Sequence, residues 1–477
     1  MTPGAQVAAA IDILGAVEAG PRPADDAAAD YFRRRRYIGA KDRAAIAGHV
    51  YAVLRQRAAL DWWLGRAGGG AVPAARGRVI AALALIEGWT QERIRACCDG
   101  DRFRPAPLAP AEERLLRSLA GHTLEHPQMP RAVRNALPEW LEPHLAQVFG
   151  VRFEPEMAAL NRPAPTDLRV NLLKGDRDGA RKALAAAGMA AEPTPWSPLG
   201  LRLAGRAPLS ALAAFKEGLV EVQDEGSQLA ALLAGVRPHM RVVDFCAGAG
   251  GKTLALAAQM RNRGTLVACD VSARRLERAA QRLRRAGVSN VERRALSGER
   301  DKWVKRHARS FDRVFLDVPC LGTGTWRRNP DAKWRSGPQD LAELVERQQE
   351  ILRSAARLVK PGGRLVYATC SFLVQEDEAQ AEAFLAAEPD FSLYPAERAW
   401  AEAIGGVAPG IGRFARLSPA RHGTDGFFVA IFERKPEPAK SPHLTPALSA
   451  LRGEREGIRR VSDGEGEVGE PAAGGDP

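Results

Sequence analysis

Cysteine is scarce in this chain. Only six occur, Cys97, Cys98, Cys246, Cys269, Cys320 and Cys370. No C-x-x-C pair is present and no histidine stands at zinc-ligand spacing, so neither a disulfide framework nor a metal is expected. Such thiols suit a reducing cytoplasm. Also missing is an uninterrupted apolar run long enough to span a membrane. No secretory leader is expected either. The opening MTPGAQVAAAIDILGAVEAG has no basic start and carries Asp12 and Glu18, while Val7, Ile11, Leu14 and Val17 recur at helical spacing, which predicts a packed helix.

What is abundant is positive charge. The formal balance is +12 with a pI near 9.7, which suits a polyanionic partner such as RNA or DNA without bearing on the fold. At 477 residues the chain should divide into two or three domains.

Residues 1–140 read as all-helical. In KDRAAIAGHVYAVLRQRAALDWWL the positions Ile46, Val50, Val53 and Leu54 form one apolar stripe. Upstream, YFRRRRYIGAKDR concentrates Arg33, Arg34, Arg35 and Arg36, a candidate phosphate-contacting patch. Residues 141–215 are expected to hold linker helices and a small α/β insert, since LRVNLLKGDRDGARKALAAAGM reads as strand then helix. Residues 216–435 alternate short apolar runs with helical patterns, the signature of a doubly wound, mostly parallel sheet. Its candidate strands are RVVDFC, TLVACD, VERRAL, RVFLDVP and GRLVYATCS, with GFFVAIFERK as an antiparallel closing edge. The segment 436–477, rich in Pro, Gly and charge, is expected to be disordered.

Ligands of such sheets bind beyond the carboxyl ends of the strands. The first candidate strand leads into DFCAGAGGKT, whose Gly248, Gly250 and Gly251 allow close backbone approach and whose following helix offers free N–H groups. A P-loop is disfavoured because that motif needs glycine where Cys246 stands. Asp270, ending the second strand, can accept from a ribose diol. Both a nicotinamide dinucleotide and S-adenosylmethionine contain one. An oxidoreductase and a methyltransferase therefore remain open at the turn.

The strand-end thiols separate them. If the first, fourth and fifth strands lie side by side, Cys320 and Cys370 share one pocket with Asp317. Such a set suits attack on carbon 6 of a cytosine, which makes carbon 5 nucleophilic. One thiol forms the covalent bond, the other assists proton removal or release, and the carboxylate holds the base edge. An oxidoreductase has no use for paired thiols. A non-catalytic RNA-binding or assembly factor would not need them intact. Which cysteine attacks is not decided by this chemistry.

The set DFCAGAGGKT, DVPCLGTGTWRRNPDAKWR, YATCS and DGFFVAIF resembles the RNA cytosine-C5 methyltransferases of the RsmB/Nop2/Sun group, within it the bacterial RsmB (Sun/Fmu) branch that modifies small-subunit ribosomal RNA. The likeness spans roughly residues 160–435, and the N-terminal part resembles the NusB-type RNA-binding domain of that branch. The resemblance implies a Rossmann-like methyltransferase fold, S-adenosylmethionine as cofactor and ribosomal RNA as partner. It implies that Cys370 is the nucleophile and Cys320 assists product release. By the same likeness Cys246, Ala247, Gly248, Ala249, Gly250, Gly251, Lys252, Asp270 and Asp317 line the cofactor and base pocket, with Lys252 near the methionine carboxylate. Arg327, Arg328 and Lys333 beside the pocket are candidate RNA contacts. A monomer is expected. The chain departs from the pattern at Gly248–Ala249, where Ala-Pro is usual, at Leu321 for Ser and at Val318 for Ala. After the third strand it offers Ser297 or Gly298 where the family has an acid, so Asp301 is the nearby carboxylate and the adenine contact stays unassigned.

Overall fold

The computed structural model describes residues 1–20, 22–67, 72–205 and 209–437. The expected disorder beyond residue 437 lies outside them. From Pro3–Glu18 to Phe153–Leu160 the described elements are helical. The long basic stretch breaks at Gln56 into helices Ala40–Arg55 and Arg57–Arg66, and Ile46, Val50, Val53 and Leu54 are all buried. They pack with Val7, Ile13 and Leu14 of the first helix, the amphipathic pattern satisfied by burial of one face. No helix among the described residues is long and apolar enough to cross a membrane.

A four-stranded antiparallel sheet follows, made of β1 (Asp167–Val170), β2 (Ala191–Pro193), β3 (Gly200–Leu203) and β4 (Val220–Val222) in the order β2-β3-β1-β4. Helix Arg177–Ala186 buries Ala180 and Leu184 against it. The expected boundary at 215 is therefore too early, because β4 pairs with β1 through Leu168↔Val222. Its three residues are too short for periodicity to register.

The larger sheet contains β5 (Arg241–Asp244), β6 (Thr265–Asp270), β7 (Val291–Ala295), β8 (Phe311–Asp317), β9 (Val359–Thr369), β10 (Phe391–Tyr394), β11 (Ala415–Leu417) and β12 (Phe427–Arg434). Its order is β10-β12-β9-β8-β5-β6-β7, with β11 also on β12. The five strands β5 to β9 run parallel, which places β5, β8 and β9 side by side as the thiol argument requires. Val314, Phe315 and Leu316 of β8 are all buried, the continuous apolar run of a strand covered on both faces. β12 is antiparallel to β9, but it is no closing edge: β10 and β11 pair beyond it and leave it buried.

Candidate active site

The turn after β5 enters helix Gly251–Gln259 through Gly250, whose φ of +82° is the left-handed conformation that favours glycine. A Cβ there would also stand 2.9 Å from the Ala279 Cβ, so the close approach of helix Ala273–Ala286 depends on its absence. Two arginines hold the turn from outside: Arg282 Nη1 donates to the Ala249 carbonyl (2.8 Å) and Arg169 Nη1 to that of Gly251 (2.9 Å). Asp270 accepts from the Gly248 N–H (2.9 Å) and the Ser272 N–H (2.7 Å), which fixes its carboxylate at the end of β6. Lys252 Nζ lies 2.6 Å from Asp317 Oδ2 and 5.0 Å from the Phe427 ring centroid.

These groups line a cavity of about 490 Å³, walled by Cys246, Ala247, Gly248, Ala249, Gly251, Lys252, Asp270 and Asp317. Of the turn residues expected there, Gly250 shapes the loop without lining the cavity. The size suits a nucleoside-containing ligand. Apolar walls come from Val271, Leu296 and Ile351, and backbone donors from the helix start. Below the turn, Asp244 is fully buried, accepts from Thr253 Oγ1 (2.6 Å), and is pushed up to about 7 by burial.

The two thiols meet. Cys320, three residues past the end of β8, and Cys370, directly after β9, have sulfurs 3.4 Å apart. The contact follows from parallel register, Asp317 standing opposite Ala368. The hydrogen bond with Cys370, then burial, pushes the Cys320 thiol well up, so it stays protonated. Burial likewise pushes the Cys246 thiol up. A buried polar scaffold fixes the Cys370 turn. Phe372 N donates to Thr323 Oγ1 (2.7 Å), Thr369 Oγ1 to Asp377 Oδ1 (2.5 Å), and Leu321 N to Glu376 Oε1 (3.0 Å). The expected single pocket is divided: Asp317 lines the first cavity, while Cys320 opens onto a second of about 360 Å³, and the two share Arg347.

Comparison with known proteins fits this arrangement. The family model described as 16S rRNA methyltransferase RsmB/F matches residues 231–433, and that of the RsmF/B-like ferredoxin-like domain matches residues 137–210. The ribosomal RNA small subunit methyltransferase B of Xylella fastidiosa is 36% identical over 404 residues, 82% of this chain and 91% of its own length. The chain belongs to the RsmB/F family. A probable member from Synechocystis is 35% identical over 62% of this chain, and one from Salmonella newport 37% over 54%. The chain spans 66% and 59% of the length of those two relatives. The crystal structure of PH0851 is 26% identical, has a TM-score of 0.76, and covers 91% of this chain and 99% of that one. A methyltransferase homolog protein from Pyrococcus horikoshii covers 64% of this chain and 97% of its own, at 29% identity and a TM-score of 0.54.

Three basic residues expected beside the pocket as RNA contacts are engaged within the chain instead. Arg327 is buried and donates to Asp425 Oδ1 from Nε (3.1 Å) and Nη2 (2.9 Å). Arg328 bridges Asp425 Oδ2 (2.6 Å) and Asp224 Oδ2 (2.8 Å). Burial first, and Asp425 second, pushes Asp224 up to about 6. Lys333 is 2% exposed, donates to the Ala136 carbonyl (3.0 Å) and to Asn161 Oδ1, and is pushed down to about 7 by burial. All three hold the loop that follows β8 against the rest of the chain. In the N-terminal patch Arg33, Arg34 and Arg36 are exposed, though Arg33 and Arg34 both pair with Asp30, while Arg35 covers the Tyr31 ring.

Asp301 does not stand in for the missing acid after β7. It is pulled down to about 2 by the backbone N–H groups of Ser297 and Trp303 and caps helix Lys302–Arg306. The carboxylate that does line the cavity there is Glu299, 4.0 Å from Arg347. Sequence reasoning missed both, together with Arg275, Gln223 and Ser227. Glu299 sits in a loop with no spacing signal, and Gln223 and Ser227 precede β5 altogether.

Proposed function

We propose that the protein transfers a methyl group from S-adenosylmethionine to carbon 5 of a cytosine in RNA, and that the RNA is small-subunit ribosomal RNA. The observation that carries this reading is the 3.4 Å approach of the Cys320 and Cys370 sulfurs beside the Asp270, Lys252 and Asp317 cavity. When bound there, S-adenosylmethionine would supply an electrophilic methyl group. Asp270 would hold the ribose diol, Lys252 the methionine carboxylate, and the apolar wall of Val271, Leu296 and Ile351 the purine, with Glu299 accepting from its exocyclic amine.

Cys370 adds as thiolate to carbon 6 of the cytosine and makes carbon 5 nucleophilic. Asp317 holds the N3 and N4 edge. After carbon 5 has taken the methyl group, its proton leaves to a base and the carbon 6–sulfur bond breaks, expelling Cys370. Because Cys320 stays protonated, it can donate to the departing sulfur. The target base must be single-stranded or flipped out, since carbon 6 is unreachable in a stack. A cytoplasmic monomer is the setting this reading implies.

The test is a pair of variants run on a denaturing gel with labelled RNA. Cys370→Ala should lose both methylation and any RNA–protein adduct. Cys320→Ala should still attack and accumulate the adduct. The opposite pattern would exchange the two roles, and identical bisulfite maps of RNA from cells with and without the protein would remove the reaction.

A further inference from the structure

With Arg327, Arg328 and Lys333 occupied internally, the charge that meets RNA near the pocket must come from elsewhere. Helix Ala273–Ala286 carries six arginines against one glutamate. Its buried positions, Leu276, Ala279, Ala280, Leu283 and Ala286, define one face. Helical periodicity then sets Arg274 and Arg278 in an exposed stripe on the opposite side with Arg275 beside them, whereas Arg282 and Arg285, further along, are half-buried and paired with Glu221. Arg274 and Arg278, four residues apart, are separated by about 6 Å along the axis.

The carboxylates that could neutralise this stripe are already engaged. Glu277 pairs with Arg293 of β7 (2.9 Å), and Glu221 alone serves both Arg282 (3.1 Å) and Arg285. Arg274, Arg275 and Arg278 are exposed and have no carboxylate partner among the described residues. Like charges at i, i+4 repel, so Arg274 and Arg278 weaken the helix they stand on unless a polyanion lies across them. The helix that carries it also has a direction. Its first turn stands at the cofactor cavity, whose lining includes Arg275, and its last turn meets Glu221 of the small sheet.

We propose that this stripe is the track on which the phosphates of the substrate strand lie as they lead to the pocket, a surface specific to backbone charge and indifferent to base identity. It rests on the RNA reading above and names the side from which the strand enters.

The experiment uses the full chain with substitutions Arg274→Gln and Arg278→Gln together, neither residue lining the cavity. Fluorescence anisotropy with a cytosine-containing single-stranded RNA is followed from about 50 to 200 mM salt, where phosphate contacts dominate. The slope of log affinity against log salt should fall by about 1.4, or 0.7 per lost contact on a single strand. The KM for RNA should rise with kcat at saturating RNA and calorimetric S-adenosylmethionine affinity unchanged, and the Arg274→Lys, Arg278→Lys pair should restore the slope. An unchanged slope in the glutamine variant, with methylation by the parent chain intact, would overturn the track alone. A parent chain that binds RNA with steep salt dependence yet never methylates it would instead overturn the proposed reaction.

Discussion

Replacing Lys333 by methionine separates a buried structural lysine from an RNA contact. The ammonium is 2% exposed, hydrogen-bonded to the Ala136 carbonyl and Asn161, and 5.2 Å from the Trp326 ring centroid. Burial, aided by the Arg55 charge, lowers its pKa from 10.5 to about 7. Below pH 7 both folded and unfolded chains carry the proton, and the folded state bears the full cost of burying the charge. Between pH 7 and 10.5 the unfolded chain still holds a proton that the folded chain has released, so stability rises with pH. The slope approaches about 1.4 kcal/mol per pH unit, or roughly 5 kcal/mol over the whole window. Methionine keeps most of the side-chain length and removes the titration. In urea unfolding followed by tryptophan fluorescence, the parent chain should therefore gain roughly 2–3 kcal/mol on Lys333→Met between about pH 7.5 and 9.5. RNA binding should keep its salt slope in the variant. Parallel stability curves, or a salt slope reduced by about 0.7 on single-stranded RNA, would refute the reasoning and return Lys333 to the RNA surface.

Other perturbations follow from the same geometry. Asp425→Ala leaves Arg327 and Arg328 to share Asp224 in a buried setting, which should cost about 3–5 kcal/mol in the urea unfolding free energy, whereas Asp425→Asn keeps an acceptor and should cost less. Gly250→Ala forces a side chain into positive φ and against Ala279. It should cost about 1–3 kcal/mol, read by calorimetry as S-adenosylmethionine binding weakened on the order of tenfold, and unaltered affinity would show that the turn relaxes freely.

The parts of the fold that could be read in advance are those whose cause is local. The glycine turn, Asp270 at the end of β6, and the two thiols at strand ends all follow from apolar runs and the residues that end them. β4, β10 and β11 were not legible, being three or four residues long and held by pairing with distant partners rather than by their own pattern. Charge was read least well. RRNPDAKW carries three cations in a short loop and looks like a surface that meets phosphate. Arg327 instead finds its carboxylate 98 residues away and Lys333 its carbonyl 197 residues away. By contrast, helix Ala273–Ala286 reads as an ordinary amphipathic helix until its neighbours reveal that Glu277 and Glu221 are already engaged.

From the residues alone came the doubly wound sheet, the glycine turn and the identity of two candidate thiols, because hydrophobic periodicity and glycine conformation act over a few neighbours at a time. The folded chain settled two other matters: that the sulfurs of Cys320 and Cys370 touch, and which arginines face water. Both depend on segments far apart in the chain being packed together. Burial and ion pairing there are decided by where a side chain ends up, since a charge is costly in the interior and survives only beside its partner.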